Sequence, residues 1–107
     1  MSQPVAVSDL NPGDYVWDIG WTTPLFVTGV STPMHPALET AGYLVVAGHR
    51  FLLTENHWSP REQKLTYRAN KQLTLDDPAV AASIYGAPAG KERSMARTIT
   101  TIKPTTV

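Results

Sequence analysis

The stretch Asn-Pro-Gly-Asp-Tyr-Val-Trp-Asp-Ile, residues 11–19, decides how this chain folds. Its first four residues predict a turn, because Pro12 fixes φ and Gly13 accepts the positive φ that tight turns need. After the turn the side chains alternate, so that Tyr15 and Val16 point to opposite faces. Alternation of this kind after a turn predicts a β-strand of about five residues.

Further short strands are predicted on the C-terminal side of this turn. Runs of β-branched and aromatic residues bounded by Gly, Pro and Asn predict strands at 25–31, 43–47, 51–54, 64–69 and 72–75. We expect the strands within 43–54 to form a hairpin that reverses at Ala47–Arg50. Between the second and third strands, Pro36 permits either a loop or a single helical turn.

One helix is predicted near the C-terminal end of the strand region. Asp77 followed by Pro78 is typical of a helix start, with the aspartate as N-cap and the proline at the first helical position. The alanine-rich run that follows is long enough for two turns, and Gly86 is a natural stop. The sequence therefore predicts a helix over 77–85.

These elements predict a mainly β fold, a small antiparallel SH3-like barrel with one short C-terminal helix and an extended tail. The alternative is an OB-like barrel. We expect the barrel core within 14–75 and the helix outside it. The predicted organisation is a domain at 1–86 and a linker and tail at 87–107. Within the tail, Thr98–Ile102 is predicted to be an ordered tail or an added strand. Such a strand could pair with its own barrel or with a second copy, giving a homo-oligomer.

The amino-acid composition excludes several kinds of functional site. The chain has no cysteine, which excludes disulfides, thiolate metal sites and cysteine nucleophiles. It contains no apolar run of roughly 20 residues, so no membrane span is expected. With no signal-peptide pattern either, the predicted location is the cytoplasm. The net charge is zero, yet residues 1–48 carry −4 and residues 49–107 carry +4.

Aromatic residues next to loops give the leading hypothesis for function. Trp21 and Trp58 both lie in predicted loops, and Tyr15 begins the first strand. Tryptophan and tyrosine are enriched at binding hot spots, and aromatic loop residues line peptide grooves in SH3-like folds. We therefore predict a non-enzymatic module that binds a protein or peptide. The competing interpretation is that both tryptophans cap the open ends of the barrel.

Basic residues interleaved with aromatic residues between positions 49 and 71 give a second hypothesis, nucleic-acid binding. Small barrels that bind nucleic acid use basic side chains for phosphates and aromatic rings for base stacking. The residues expected to do so are Arg50, Arg61, Lys64, Arg68 and Lys71. The competing interpretation is an ordinary solvated outer face. The zero net charge weighs against strong non-specific DNA binding.

A third, weaker hypothesis is a metal-dependent enzyme. His49, Glu55 and His57 flank one predicted strand, and imidazole with carboxylate is a donor set that suits zinc or iron. Their spacing matches no established metal signature, and the chain has no nucleophile elbow and no phosphate-binding glycine loop. We therefore assign no catalytic residue, no metal ligand and no cofactor.

Overall fold

The computed structural model describes residues 2–88 of the chain. These residues form seven strands and two helices, joined by short connections. In chain order the elements are β1 (Gln3–Ala6), a 3-10 turn (Val7–Asp9), β2 (Tyr15–Trp17), β3 (Leu25–Ser31), α1 (Pro36–Thr40), β4 (Tyr43–Leu52), β5 (His57–Trp58), β6 (Gln63–Arg68), β7 (Gln72–Leu75) and α2 (Pro78–Tyr85). Neither helix has the length and the apolar run that crossing a lipid bilayer requires.

All seven strands belong to one antiparallel arrangement. The strand order is β1-β7-β2-β3-β4-β5. The sixth strand, β6, pairs with residues 43–48 of β4, and β5 pairs with the C-terminal end of β4 at Phe51 and Leu52. Within residues 2–88 no pairing returns from β5 or β6 to β1, so the sheet is open. The prediction of a mainly β, antiparallel fold is confirmed, whereas closure into an SH3-like or OB-like barrel is not confirmed.

The predicted hairpin at 43–54 is wrong, because β4 runs without a break from Tyr43 to Leu52. The glycine that suggested a reversal serves close packing instead. A Cβ at Gly48 would overlap the backbone carbonyl oxygen of Phe26 and lie 2.9 Å from Cγ of Leu25. Glycine therefore lets β3 approach β4 closely, and the chain reverses later, at 53–56.

Alternation along the strands builds two cores, one on each face of the sheet. Val16, Leu25 and Val27 are buried in the first core. Their neighbours Tyr15 and Phe26 point the other way and are buried in the second. We call these the main core and the aromatic core. The remaining buried members are Val7, Leu10, Val46 and Leu73 in the main core, and Phe51, Trp58 and Ala81 in the aromatic core.

Helix α2 covers the aromatic core, which corrects the expectation that the helix lies outside the core. Ala81 is buried in that core, and Tyr85 packs against it. The sequence signals for the helix itself are confirmed. The side chain of Asp77 accepts hydrogen bonds from the backbone N–H groups of Ala79 and Val80. The helix then ends at Tyr85, followed by Gly86 with φ of 68°.

Two further predictions concern the segment after Pro36 and the C-terminal tail. Of the loop and the helical turn that Pro36 permits, the structure has the helical turn, α1. The predicted tail strand Thr98–Ile102 lies outside the described residues, as does all of the predicted linker beyond Pro88.

Candidate functional site

Two of the three aromatic residues predicted to bind a partner are buried in the aromatic core. Tyr15 is 1% exposed and Trp58 is 8% exposed. The Tyr15 hydroxyl donates to the Gly86 carbonyl at 2.6 Å, and the Trp58 indole N–H donates to the Tyr85 carbonyl at 3.1 Å. Backbone carbonyls at the C-terminal end of α2 therefore satisfy both polar groups. Because both rings are buried, little of their surface is accessible to a partner.

Trp21 lies in a different place, in the loop between β2 and β3. It is partly buried against the main core, so the structure does not bring it together with Trp58. Instead it meets Arg50 near the C-terminal end of β4. The guanidinium carbon of Arg50 lies 3.8 Å from the centroid of the Trp21 ring. This distance is typical of a cation–π contact. The contact pairs Trp21, predicted to bind a peptide, with Arg50, predicted to bind nucleic acid.

Arg50 is partly buried, and one nitrogen of its guanidinium group has lost contact with water. Its Nε atom is enclosed and has no hydrogen-bond partner among the described residues. Burial lowers the pKa of Arg50 from its ordinary value, which means that the charged form has lost hydration. The side chain remains charged, because the ordinary pKa of arginine lies far above neutral pH.

A compact polar cluster lies beside this pair, centred on Asp18. The Tyr67 hydroxyl donates to Asp18 at 3.1 Å, and the Lys71 ammonium lies 3.4 Å from the other carboxylate oxygen. Burial opposes ionisation of Asp18, but the Ile19 backbone N–H, Tyr67 and Lys71 outweigh it and lower the pKa of Asp18. Burial, reinforced by Asp18, raises the pKa of Tyr67 to about 12.

An exposed apolar residue completes the site. Ile19 follows Asp18 in the loop and is 93% exposed. An apolar side chain with this much exposed surface gains free energy when it is covered. We call the whole set the Trp21 rim, made of Asp18, Ile19, Trp21, Arg50, Tyr67 and Lys71.

The five basic residues predicted to bind nucleic acid do not share one face. In the β4–β6 register, Lys64 lies opposite Ala47 and Arg68 lies opposite Tyr43. Residues in register share a face, and Arg50 is an odd number of positions along β4 from both partners, so it lies on the other face. Lys71 is paired with Asp18 in the Trp21 rim. Arg61 is exposed in the loop before β6.

His49 lies on β4 and His57 on β5, and each makes a contact of its own. His57 Nε2 is 3.1 Å from the Glu55 carboxylate, and His49 Nδ1 is 2.8 Å from the Ser59 carbonyl oxygen. Among residues 2–88 no three His, Cys, Asp or Glu side chains converge as a metal site would require. A cavity of about 290 Å³ opens here, lined by His49, His57, Trp58, Ser59, Pro60 and Pro88.

Sequence reasoning missed three members of the rim, namely Asp18, Ile19 and Tyr67. A signal for Asp18 was present. The alternation of β2 puts it on the same face as the buried Val16, where a carboxylate needs hydrogen-bond partners. Its partner Tyr67 comes from β6, and that pairing depends on the β4 register, which the predicted hairpin had obscured.

Comparison with known proteins gives no match to a family model, to a curated protein or to a solved structure.

Proposed function

We propose that this chain is a non-enzymatic binding module that takes a protein or peptide partner at the Trp21 rim. The observation that carries the proposal is the stack of Arg50 on the half-buried Trp21 ring, beside the fully accessible Ile19. Arginine and tryptophan are the residues most enriched at binding hot spots. An adjacent aliphatic side chain gains free energy when a partner covers it.

The scaffold we assign to this module is SH3-like. Strands β2, β3, β4 and β6 follow one another as antiparallel neighbours, and the last strand, β7, returns to pair with β2. This connectivity leaves the β2–β3 loop, which carries Ile19 and Trp21, at the rim of the main core. SH3-like folds use aromatic residues in this kind of position to hold peptides.

Ile19→Ser is the variant that tests the proposal. We expect it to weaken capture of a partner from cell lysate by about tenfold or more, because an apolar side chain of this size contributes about 1.5–3 kcal/mol when covered. Its own stability should change by no more than about 0.5 kcal/mol, since the side chain is exposed. Capture is measured by quantitative mass spectrometry with immobilised full-length protein.

Met34→Ser is the matched control. Met34 is fully exposed and apolar like Ile19, but it lies in the connection between β3 and α1. We expect this variant to capture the same partners as the wild type. Equal capture by wild type and Ile19→Ser, or equal loss in both variants, would contradict the proposal.

A second candidate function is nucleic-acid binding through the outer face of β4 and β6. The Arg68 guanidinium lies 5.2 Å from the Tyr43 ring centroid, and Lys64 stands in register with the small residue Ala47. A flat strand pair with two cations and one aromatic ring suits a single strand of nucleic acid. Against it, the chain holds nine basic and nine acidic residues and carries no net charge.

Salt dependence tests this candidate. If the outer face binds single-stranded RNA or DNA, a mobility shift at ~50 mM salt should weaken steeply as salt rises, because binding releases counterions. The double variant Lys64→Ser and Arg68→Ser should abolish the shift, and Ile19→Ser should leave it unchanged. No shift with the wild type at the lowest salt would remove the candidate.

A further inference from the structure

An unpaired hydrogen-bond donor, Nε of Arg50, distinguishes the Trp21 rim from the rest of the described sheet. The Trp17 indole N–H donates to the Asp76 carboxylate at 2.7 Å, and that of Trp58 donates to a backbone carbonyl. Within residues 2–88, by contrast, the enclosed Nε of Arg50 has no hydrogen-bond partner, and its guanidinium carbon lies 3.8 Å from the Trp21 ring centroid. Indole and guanidinium groups donate and do not accept. A ligand that completes the site must therefore bring an acceptor.

The charges of the rim call for an anionic acceptor. Arg50 and Lys71 supply two positive charges and Asp18 supplies one negative charge. Asp18 is already engaged by Tyr67, by Lys71 and by its neighbouring backbone N–H. The uncompensated charge is therefore the one on Arg50, which is partly withdrawn from water. A half-buried cation of this kind gains most from a paired anion.

We propose that the partner is an acidic peptide segment that places a carboxylate on the guanidinium of Arg50 and an apolar side chain over Ile19. This inference rests on the proposed function and names the chemistry of its ligand. The planar guanidinium matches the two oxygens of a carboxylate as parallel hydrogen bonds. The Trp21 ring fixes the plane of the guanidinium, so less side-chain entropy is lost on binding.

A carboxylate fits this site better than a phosphate group. The net charge of the rim is one positive unit, which a single carboxylate neutralises. A phosphate monoester carries close to two negative charges at neutral pH and brings its oxygens nearer to the ionised Asp18. Phosphate-binding sites collect several cations or backbone N–H groups. Here Lys71, the second cation, is already held by Asp18.

Two capped dipeptides, N-acetyl-leucyl-glutamate amide and N-acetyl-leucyl-glutamine amide, test the inference on the ¹⁵N-labelled full chain. We expect the glutamate peptide to cause saturable shifts of the Trp21 indole N–H and the Arg50 Nε–H signals. The glutamine peptide should bind at least about tenfold more weakly, since its neutral amide cannot form the charge-assisted pair of hydrogen bonds with the guanidinium. Sodium phosphate and sodium chloride at matched ionic strength complete the series.

Arg50→Gln should remove the preference for glutamate, and Arg50→Lys should restore only part of it because lysine lacks the planar fork. Arg68→Gln is the control, since Arg68 also stacks on an aromatic ring but lies on the outer face. It should retain the full preference. Equal affinity for both peptides would overturn the inference, as would shifts with phosphate or chloride that match those with the glutamate peptide.

The inference and the proposed function fail separately. If the wild type prefers the glutamate peptide while Ile19→Ser captures lysate partners normally, the carboxylate site stands and the proposed function is wrong. If capture depends on Ile19 but Arg50→Gln captures as well as the wild type, the binding module stands and its ligand is not acidic.

Discussion

Replacing Trp58 with alanine is expected to lower the free energy of unfolding by about 3–5 kcal/mol. The ring packs edge-on against Phe51 at 5.1 Å and Phe26 at 5.9 Å between centroids, and it contacts Tyr15 and Tyr85 as well. Its removal leaves a cavity at the centre of the aromatic core and frees the Tyr85 carbonyl that it binds. The loss approaches the whole stability of a small domain, which is about 5–15 kcal/mol. Urea unfolding followed by circular dichroism measures it.

Trp21→Ala is the control for this prediction, because it removes the same side chain from a half-buried position. We expect Trp21→Ala to lower the free energy of unfolding by less than half as much as Trp58→Ala does. The loss in free energy of unfolding for Trp58→Phe should lie between these two values, because phenylalanine keeps much of the apolar volume but cannot form the indole hydrogen bond. If Trp21→Ala destabilised the protein as much as Trp58→Ala, the assignment of one tryptophan to the core and the other to a surface would be wrong.

Gly48→Ala is expected to destabilise the protein by about 3 kcal/mol, the upper end of the usual cost of overpacking. The added Cβ meets the backbone carbonyl of Phe26, and a backbone atom in a paired strand cannot move aside as a flexible side chain can. Strands β3 and β4 would have to separate at the centre of the sheet. The same unfolding experiment detects the change.

Gly29→Ala provides the matched control on the facing strand. Gly29 pairs with Ala47, one position along β4 from Gly48, and a Cβ built there meets nothing within 4 Å. Its substitution should change the free energy of unfolding by no more than about 0.5 kcal/mol. Equal costs at the two glycines would show that β3 and β4 do not approach as closely at Gly48 as described.

Local signals in the sequence were enough to find most strands. The bounds of β3 and β7 agree with the alternating runs at 25–31 and 72–75, and Asp77 caps α2 as its Asp-Pro signature predicts. Gly48 misled the prediction, because glycine is typical both of turns and of close backbone approach. Only the neighbouring strand, which a local pattern does not contain, distinguishes the two.

The binding site was predictable only in part, for a related reason. Trp21 and Arg50 were both singled out by residue type, but 29 positions of sequence separate them and nothing local joins them. The register of β3 with β4, which places Arg50 opposite Leu25, brings Arg50 to the loop that carries Trp21. Trp58 and Tyr15 were expected at a binding surface, because an aromatic residue near a loop can either pack in the core or contact a partner and the sequence pattern is the same for both. Helix α2, which buries them, was expected outside the core.

Binding at the Trp21 rim is tested most directly by following the three indole N–H signals of the ¹⁵N-labelled chain while a partner captured by the wild type is added. We expect the Trp21 signal to shift or broaden, while the signals of Trp17 and Trp58, whose N–H groups donate to internal acceptors, stay where they are. A shift of the Trp58 signal with the Trp21 signal unchanged would contradict binding at the Trp21 rim.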